Sequence, residues 1–137
     1  MKEAIQVKWS GDMAFDASVD GHSIMLDAKA EHGGQNKGPR PKQLMLVALA
    51  GCTAMDVVSI LKKMRIEPED FNITVEGELT EEHPKHFTAM HIIYEFKGEG
   101  LPPDKLQRAI ELSQDKYCGV SAVYKKVLDL TYEIKTV

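Results

Sequence analysis

The sequence predicts an α+β fold in which antiparallel sheets surround a long central helix. Apolar and polar residues alternate with period two through the first 28 residues, which is typical of strands. Residues 41–64 have a helical composition and contain no proline after the first position. Two further alternating segments and a final one enclose a pair of shorter helical segments. The predicted order is βββ-α-ββ-α-α-β, in a single domain over residues 1–137.

The N-terminal strands are predicted to form a three-stranded antiparallel meander. Ile5, Val7 and Trp9 share one face of the first strand, and Asp20-Gly21 separates two alternating runs, which is a strong hairpin signal. Residues 29–40 follow as a polar loop with three glycines. Connections of this length are often functional or mobile, so we expect one of these roles for the loop.

The segment after this loop is predicted to be the central helix. Pro41 suits a first helical turn, and Lys62 and Lys63 complement the negative end of the helix dipole. The first half of the helix is apolar on every side, so we expect it to be buried all round. One small chain offers too little cover for such a helix, and a second copy would supply it. We therefore expect a homodimer.

The remaining elements alternate between strand and helix patterns. Strands are predicted near residues 71–79 and 90–96, and a last one over 128–134. A helix opens at residues 102–104 and stops near Cys118-Gly119, where a short helical turn follows. Its predicted buried stripe is Leu106, Ala109, Ile110, Ser113 and Tyr117.

Composition excludes several classes of function. The net charge is −4 with scattered Lys and Arg, which disfavours nucleic acid and anionic membranes as partners. The longest apolar run, residues 44–55, is shorter than the about 20 residues of a membrane span, and no signal-peptide layout is present. We therefore expect a cytoplasmic protein. The five histidines lack metal-ligand spacing and no glycine-rich phosphate loop occurs, so neither metal nor cofactor is predicted.

The two cysteines are the candidate reactive groups. In the cytoplasm they are either inert core thiols or a redox pair. Cys52 lies in an apolar helix with Asp56 four residues later, and both features disfavour its thiolate. An activating cation must therefore come from elsewhere, and Arg40, Lys42 or a second subunit could supply it. Cys118 lies two residues after Lys116, at a predicted helix start, where a thiol is usually more accessible.

Residues 38–41, 51–61 and 116–121, around the two cysteines, resemble the OsmC/Ohr superfamily, and within it the YhfA-like branch of OsmC-like proteins. The resemblance implies an OsmC-like fold, an intertwined homodimer and thiol peroxidase chemistry on small organic hydroperoxides in oxidative or osmotic stress defence. It implies that Cys52 is the peroxidatic thiol and Cys118 the resolving thiol. An external dithiol, such as a lipoylated protein, would then reduce the disulfide.

The chain departs from the family at the residues that activate the thiol. Ohr-type peroxidases pair an Arg from the first hairpin with a Glu at the start of the central helix. The corresponding positions here fall near Asp12 and on Lys42, so both signs are inverted. The hypothesis is that Lys42 or Arg40 substitutes as the activating cation. Two alternatives stay open: a small-molecule binding or redox-sensing protein in which Cys52 is slow, and a purely structural role for both thiols.

Overall fold

The computed structural model describes residues 1–137, and it confirms the predicted order of elements. The strands are β1 (Gln6–Trp9), β2 (Phe15–Val19), β3 (His22–Leu26), β4 (Asp70–Leu79), β5 (Phe87–Lys97) and β6 (Asp129–Thr136). The helices are α1 (Pro41–Lys63), α2 (Pro103–Leu112) and α3 (Gly119–Tyr124). The chain forms two compact units, residues 1–45 and 46–137.

The N-terminal unit contains the predicted meander. Its strand order is β1-β2-β3 and both pairs are antiparallel. Asp20 and Gly21 have φ angles of 53° and 82°, and positive φ at both central residues is the requirement of a type I′ hairpin turn. The hairpin predicted from Asp20-Gly21 is therefore confirmed, and so is the positive φ that makes these residue types favourable there.

The long loop after β3 is fixed by one buried carboxylate. Asp27 is 3% exposed and accepts the backbone N–H groups of Ala28, Gln35 and Lys37 at 2.7, 3.1 and 3.1 Å. These bonds, that of Lys37 above all, hold the pKa of Asp27 below its ordinary value. A Cβ at Gly34 would lie 2.0 Å from the Ala28 carbonyl oxygen, so this crossing of the chain needs glycine.

The C-terminal unit contains the second sheet, in the order β4-β5-β6. The prediction of antiparallel sheets holds for the meander and for β4–β5, but β5 and β6 are parallel. The physical reason is the connection between them. It runs through α2 and α3 and returns the chain to the end of the sheet where β5 began, as a parallel pair requires.

One side of α1 lies in the core of this unit. Leu49, Thr53, Val57 and Leu61, spaced four residues apart, are buried. Their apolar members share a core cluster with β5 and α2, which contribute Met90, Ile92, Tyr94, Phe96, Leu106, Ala109 and Ile110. The remaining face of α1 differs from expectation.

The prediction that the first half of α1 is buried all round is wrong for the single chain. Val47 in that half is 60% exposed, and Met55 and Val58 further along are 76% and 53% exposed, because one sheet and one helix pair cover only one side of a helix. By length and composition α1 could also cross a membrane, although the core helix of a soluble protein passes the same test. Length and composition alone therefore do not distinguish the two, and the buried side of α1, with Leu49, Thr53, Val57 and Leu61, is that of a core helix.

A π-turn, Ser113–Tyr117, extends α2 and changes which side chains face the core. Its widening shows in the bond from the Cys118 N–H to the Ser113 carbonyl oxygen, at 2.7 Å. The extra residue shifts the helical phase, so Gln114 is buried and Tyr117 is 54% exposed. The predicted stripe is confirmed through Ser113 and wrong at Tyr117.

Candidate functional site

The two thiols meet inside the C-terminal unit. Cys52 lies midway along α1, and Cys118 lies where the π-turn gives way to α3. The two Sγ atoms and a carboxylate oxygen of Asp56 all lie within 4.8 Å of one another. Both cysteines are free thiols. The structure thus brings together two residues that are 66 positions apart in the sequence.

Cys118 occupies the start of a helix, as predicted, but it is not accessible. The residue is 3% exposed, and its Sγ accepts the backbone N–H of Ser121 at 3.4 Å as the N-cap of α3. Burial raises the pKa of Cys118, since the interior disfavours the thiolate, and the Ser121 contact opposes this only in part. The expectation of an exposed helix-start thiol is therefore wrong. Cys52 is half-buried and is the more accessible sulfur.

A buried polar network lies next to the thiols. Thr53 Oγ1 lies 2.7 Å from the Tyr94 hydroxyl and 2.8 Å from Ser113 Oγ. Gln114 Nε2 donates to Thr53 Oγ1 at 3.2 Å and to the Tyr94 hydroxyl at 2.9 Å. Ser113 Oγ in turn donates to Asp56 Oδ2 at 2.9 Å. The network thus connects the core of the sheet to the carboxylate beside both sulfurs.

This network fixes the segment that carries Cys118. Burial raises the pKa of Tyr94 to about 12, so its hydroxyl stays protonated and can donate. Lys125 Nζ donates to the Gln114 carbonyl oxygen at 2.6 Å and lies 3.6 Å from Asp115 Oδ1. Side chains from α1, β5 and the residue after α3 therefore all hold the π-turn in place.

An open cleft of about 270 Å³ lies beside the site and has Asp56 in its wall. Its walls come from α1 and from the end of α2 with the π-turn. The lining residues are Asp56, Ser59, Ile60, Lys63, Leu112 and Tyr117. Asp56 belongs to both the cleft and the cluster, whereas neither cysteine lines the cleft.

The two predicted activating cations belong to the N-terminal unit. Arg40 donates from Nη1 to the Gly38 carbonyl oxygen at 3.1 Å and from Nη2 to Asn36 Oδ1 at 2.5 Å. Its guanidinium thus braces its own loop. Lys42 is exposed in the first turn of α1. At the position of the family arginine, Asp12 Oδ2 accepts from Gln35 Nε2 at 3.4 Å. The activating role of Arg40 and Lys42 stays a prediction.

Sequence reasoning missed the polar network and the three-ligand cluster. Thr53, Ser113 and Gln114 are polar residues on helix faces that are otherwise apolar, and that signal was available. Their convergence on Tyr94 depends on how α1 and α2 pack on the sheet, which periodicity does not reveal. Cys52, Asp56 and Cys118 together offer two sulfurs and a carboxylate oxygen to a metal ion.

Comparisons with known proteins identify the family and the fold. A family model described as OsmC-like protein matches residues 34–133. Protein YhfA of Escherichia coli K12 is 34% identical over 133 residues, which are 96% of each chain. A hypothetical protein from Aquifex aeolicus VF5 has a solved structure that is 30% identical, with a TM-score of 0.84 over 100% of this chain and 98% of that one. The organic hydroperoxide resistance protein OhrB of Bacillus subtilis, 18% identical, shares the fold with a TM-score of 0.68 over 97% and 98%.

Proposed function

This chain belongs to the OsmC-like protein family, and on that premise we propose that it is a thiol-dependent peroxidase that reduces organic hydroperoxides. The observation that carries the proposal is the approach of Cys52 Sγ and Cys118 Sγ to within 4.8 Å. Two thiols on separate elements at this separation need only side-chain rotation and small backbone shifts to reach the about 2.05 Å of a disulfide.

The proposed reaction has three steps. The Cys52 thiolate attacks a peroxide oxygen and breaks the O–O bond, so the sulfur becomes a sulfenic acid and the other oxygen leaves as an alcohol after protonation. The Cys118 sulfur then displaces the sulfenic hydroxyl as water and forms the disulfide. An external dithiol reduces that disulfide by exchange and is itself oxidised, which restores both thiols.

Exposure supports this assignment of roles. Cys52 is half-buried and can meet a substrate, whereas Cys118 is 3% exposed and can meet only a neighbouring sulfur. Cys52 also packs against the apolar core cluster. Such surroundings favour a hydroperoxide with an apolar group over hydrogen peroxide, because the organic molecule gains free energy from apolar contact.

The proposed working form is a cytoplasmic homodimer that is reduced by an external dithiol, such as that of a lipoylated protein, and serves oxidative or osmotic stress defence. Support for the second copy comes from α1, where Val47, Met55 and Val58 leave an apolar face exposed in the single chain. In the proposed dimer, the second copy would also supply the cation that activates Cys52. Lys42 precedes Cys52 by ten residues of α-helix, a rise of about 15 Å, which is beyond the reach of a lysine along its own helix.

The test follows free thiols and disulfide by mass after reduced protein meets cumene hydroperoxide or, separately, hydrogen peroxide. A peroxidase loses two thiols per chain quickly, prefers the organic peroxide and gives a Cys52–Cys118 bridge. The C118S variant should retain a sulfenic acid at Cys52 that dimedone traps. Slow, equal oxidation by both peroxides would rule the proposal out.

A separate measurement tests the activating cation. We expect that replacing both Arg40 and Lys42 with glutamine slows alkylation of Cys52 and moves its pH midpoint upward, because a nearby cation favours the thiolate. K126Q, a change at a basic residue after α3, is the matched control. An unchanged rate and midpoint in the double variant would refute the role of both residues.

A second candidate function is a small-molecule binding or redox-sensing protein with little peroxidase activity. The observation that favours it is that the charged side chain within 4.8 Å of both sulfurs is the carboxylate of Asp56, whereas the guanidinium of Arg40 braces its own loop. Slow oxidation by every peroxide, with ligand-dependent protection of Cys52 from alkylation, would support this reading over the first.

A further inference from the structure

The cluster of Cys52, Asp56 and Cys118 has the composition of a metal site as well as of a redox pair. Two thiolates and a carboxylate are ligands that Zn²⁺ accepts, at about 2.3 Å for sulfur and about 2.0–2.2 Å for oxygen. In a tetrahedral site these bonds place the ligand atoms about 3.5–3.8 Å from one another. The three atoms here already lie within 4.8 Å of one another, so modest side-chain rotation completes the geometry.

The partners of these ligands suit a metal. Metal-bound carboxylates are usually held by a further hydrogen bond that fixes their direction. Ser113 Oγ supplies that bond to Asp56 Oδ2 at 2.9 Å and is itself held by Thr53 Oγ1 at 2.8 Å. The third ligand is fixed through the backbone, because the Cys118 N–H donates to the Ser113 carbonyl oxygen at 2.7 Å.

A cleft beside the cluster offers an approach to one of its three ligand residues. The cleft of about 270 Å³ is lined by Asp56 and is open to solvent. A water molecule from the cleft can complete four-coordination, as at zinc sites that have three protein ligands.

We propose that the reduced protein binds one Zn²⁺ per chain through Cys52 Sγ, Asp56 and Cys118 Sγ, with water in the fourth position. Two thiols each release a proton to solvent as the ion binds, and the carboxylate binds in its ionised form. The metal-bound and oxidised states exclude each other, because a disulfide has no thiolate to offer. Bound zinc therefore keeps the pair reduced and, if the proposed function is right, holds the peroxidase inactive.

The experiment titrates the full-length reduced protein, without peroxide, with Zn²⁺ in competition with a chromophoric chelator. A parallel titration with Cd²⁺ records the ultraviolet thiolate-to-metal charge-transfer band. We expect one ion per chain and a charge-transfer band in the wild type. The D104N variant is the matched control, since Asp104 is an exposed carboxylate in the first turn of α2, outside the cluster.

The variants separate the ligands from their surroundings. C52S and C118S should each lose stoichiometric binding, and D56N should weaken it at least about 100-fold, while S113A should weaken it about tenfold by releasing the carboxylate. Far-ultraviolet circular dichroism confirms that each variant is folded.

Absence of 1:1 binding in the wild type would overturn the proposal, as would wild-type affinity in D56N or in either cysteine variant. Because peroxide takes no part in the titration, failure of the peroxidase proposal leaves this result unaffected.

Discussion

Replacing Thr53 with valine tests whether the buried network holds the thiol site together. Valine has nearly the shape of threonine, so the change removes a hydroxyl without opening a cavity. Thr53 Oγ1 has three partners, Tyr94 at 2.7 Å, Ser113 at 2.8 Å and Gln114 at 3.2 Å. Each such bond contributes about 1 kcal/mol net, which gives a ceiling of about 3 kcal/mol for their loss.

Two partners of Thr53 each keep another hydrogen bond after the change. The Tyr94 hydroxyl keeps Gln114 Nε2 at 2.9 Å, and Ser113 Oγ keeps Asp56 at 2.9 Å. We therefore expect T53V to lower the free energy of unfolding by about 2 kcal/mol, between the cost of one lost bond and of three. Because Ser113 precedes Cys118 in the same turn, we also expect slower formation of the Cys52–Cys118 disulfide.

Urea unfolding at fixed protein concentration measures the first effect, and a second copy would make the midpoint depend on that concentration. T74V is the matched control, because Thr74 is exposed on β4 and should change stability by no more than about 0.5 kcal/mol. If T53V were as stable as T74V, the network would contribute nothing and the reasoning would be refuted.

For three other perturbations the structure predicts the direction of the effect. Folding raises the pKa of Tyr94 to about 12, and the stability that this shift contributes is complete below pH 10 and is lost as pH rises toward about 12. Over that range the free energy of unfolding of the wild type, measured in urea, should fall by up to about 3 kcal/mol relative to that of Y94F. The lowered pKa of Asp27 contributes stability above about pH 4 that is lost in acid. D27N should therefore be less stable than the wild type at neutral pH and should exchange the amide hydrogens of Gln35 and Lys37 faster. The stability difference should shrink as pH falls below 4. If the proposed homodimer buries the exposed face of α1, M55E on that face should lower the sedimenting mass to that of a monomer, and an unchanged dimer mass would argue against that face as the interface.

The order of elements was predictable from sequence because each element carries a local signal. Asp20-Gly21 demands positive φ at two successive residues, and the period-two runs on either side specify strands whatever the rest of the chain does. Pro41 and Pro103 mark helix starts for the same local reason. The parallel pairing of β5 with β6 was not predictable, since it depends on where the crossover through α2 and α3 delivers the chain.

The site was predictable only in part. The two cysteine motifs identified the thiols, and the helical spacing of Cys52 and Asp56 placed a carboxylate beside one of them. The depth of Cys118 was missed, because a position at a helix start says nothing about what packs over it. The convergence of Thr53, Tyr94 and Ser113 was missed too, since hydrogen bonds between residues 41 and 60 positions apart arise only from tertiary packing.

In the π-turn, the number of residues between Ser113 and Cys118 sets the direction in which Cys118 points. Each residue of an α-helix turns the chain by about 100°, so deleting one residue from this segment would rotate everything after it by that angle. Cys118 would then point away from Cys52, although every side chain of the site would still be present. Substitutions within residues 114–117 leave the direction of Cys118 unchanged, whereas a change of length by one residue alters it. The pairing of the two sulfurs therefore depends on the number of residues between Ser113 and Cys118 as much as on their identity.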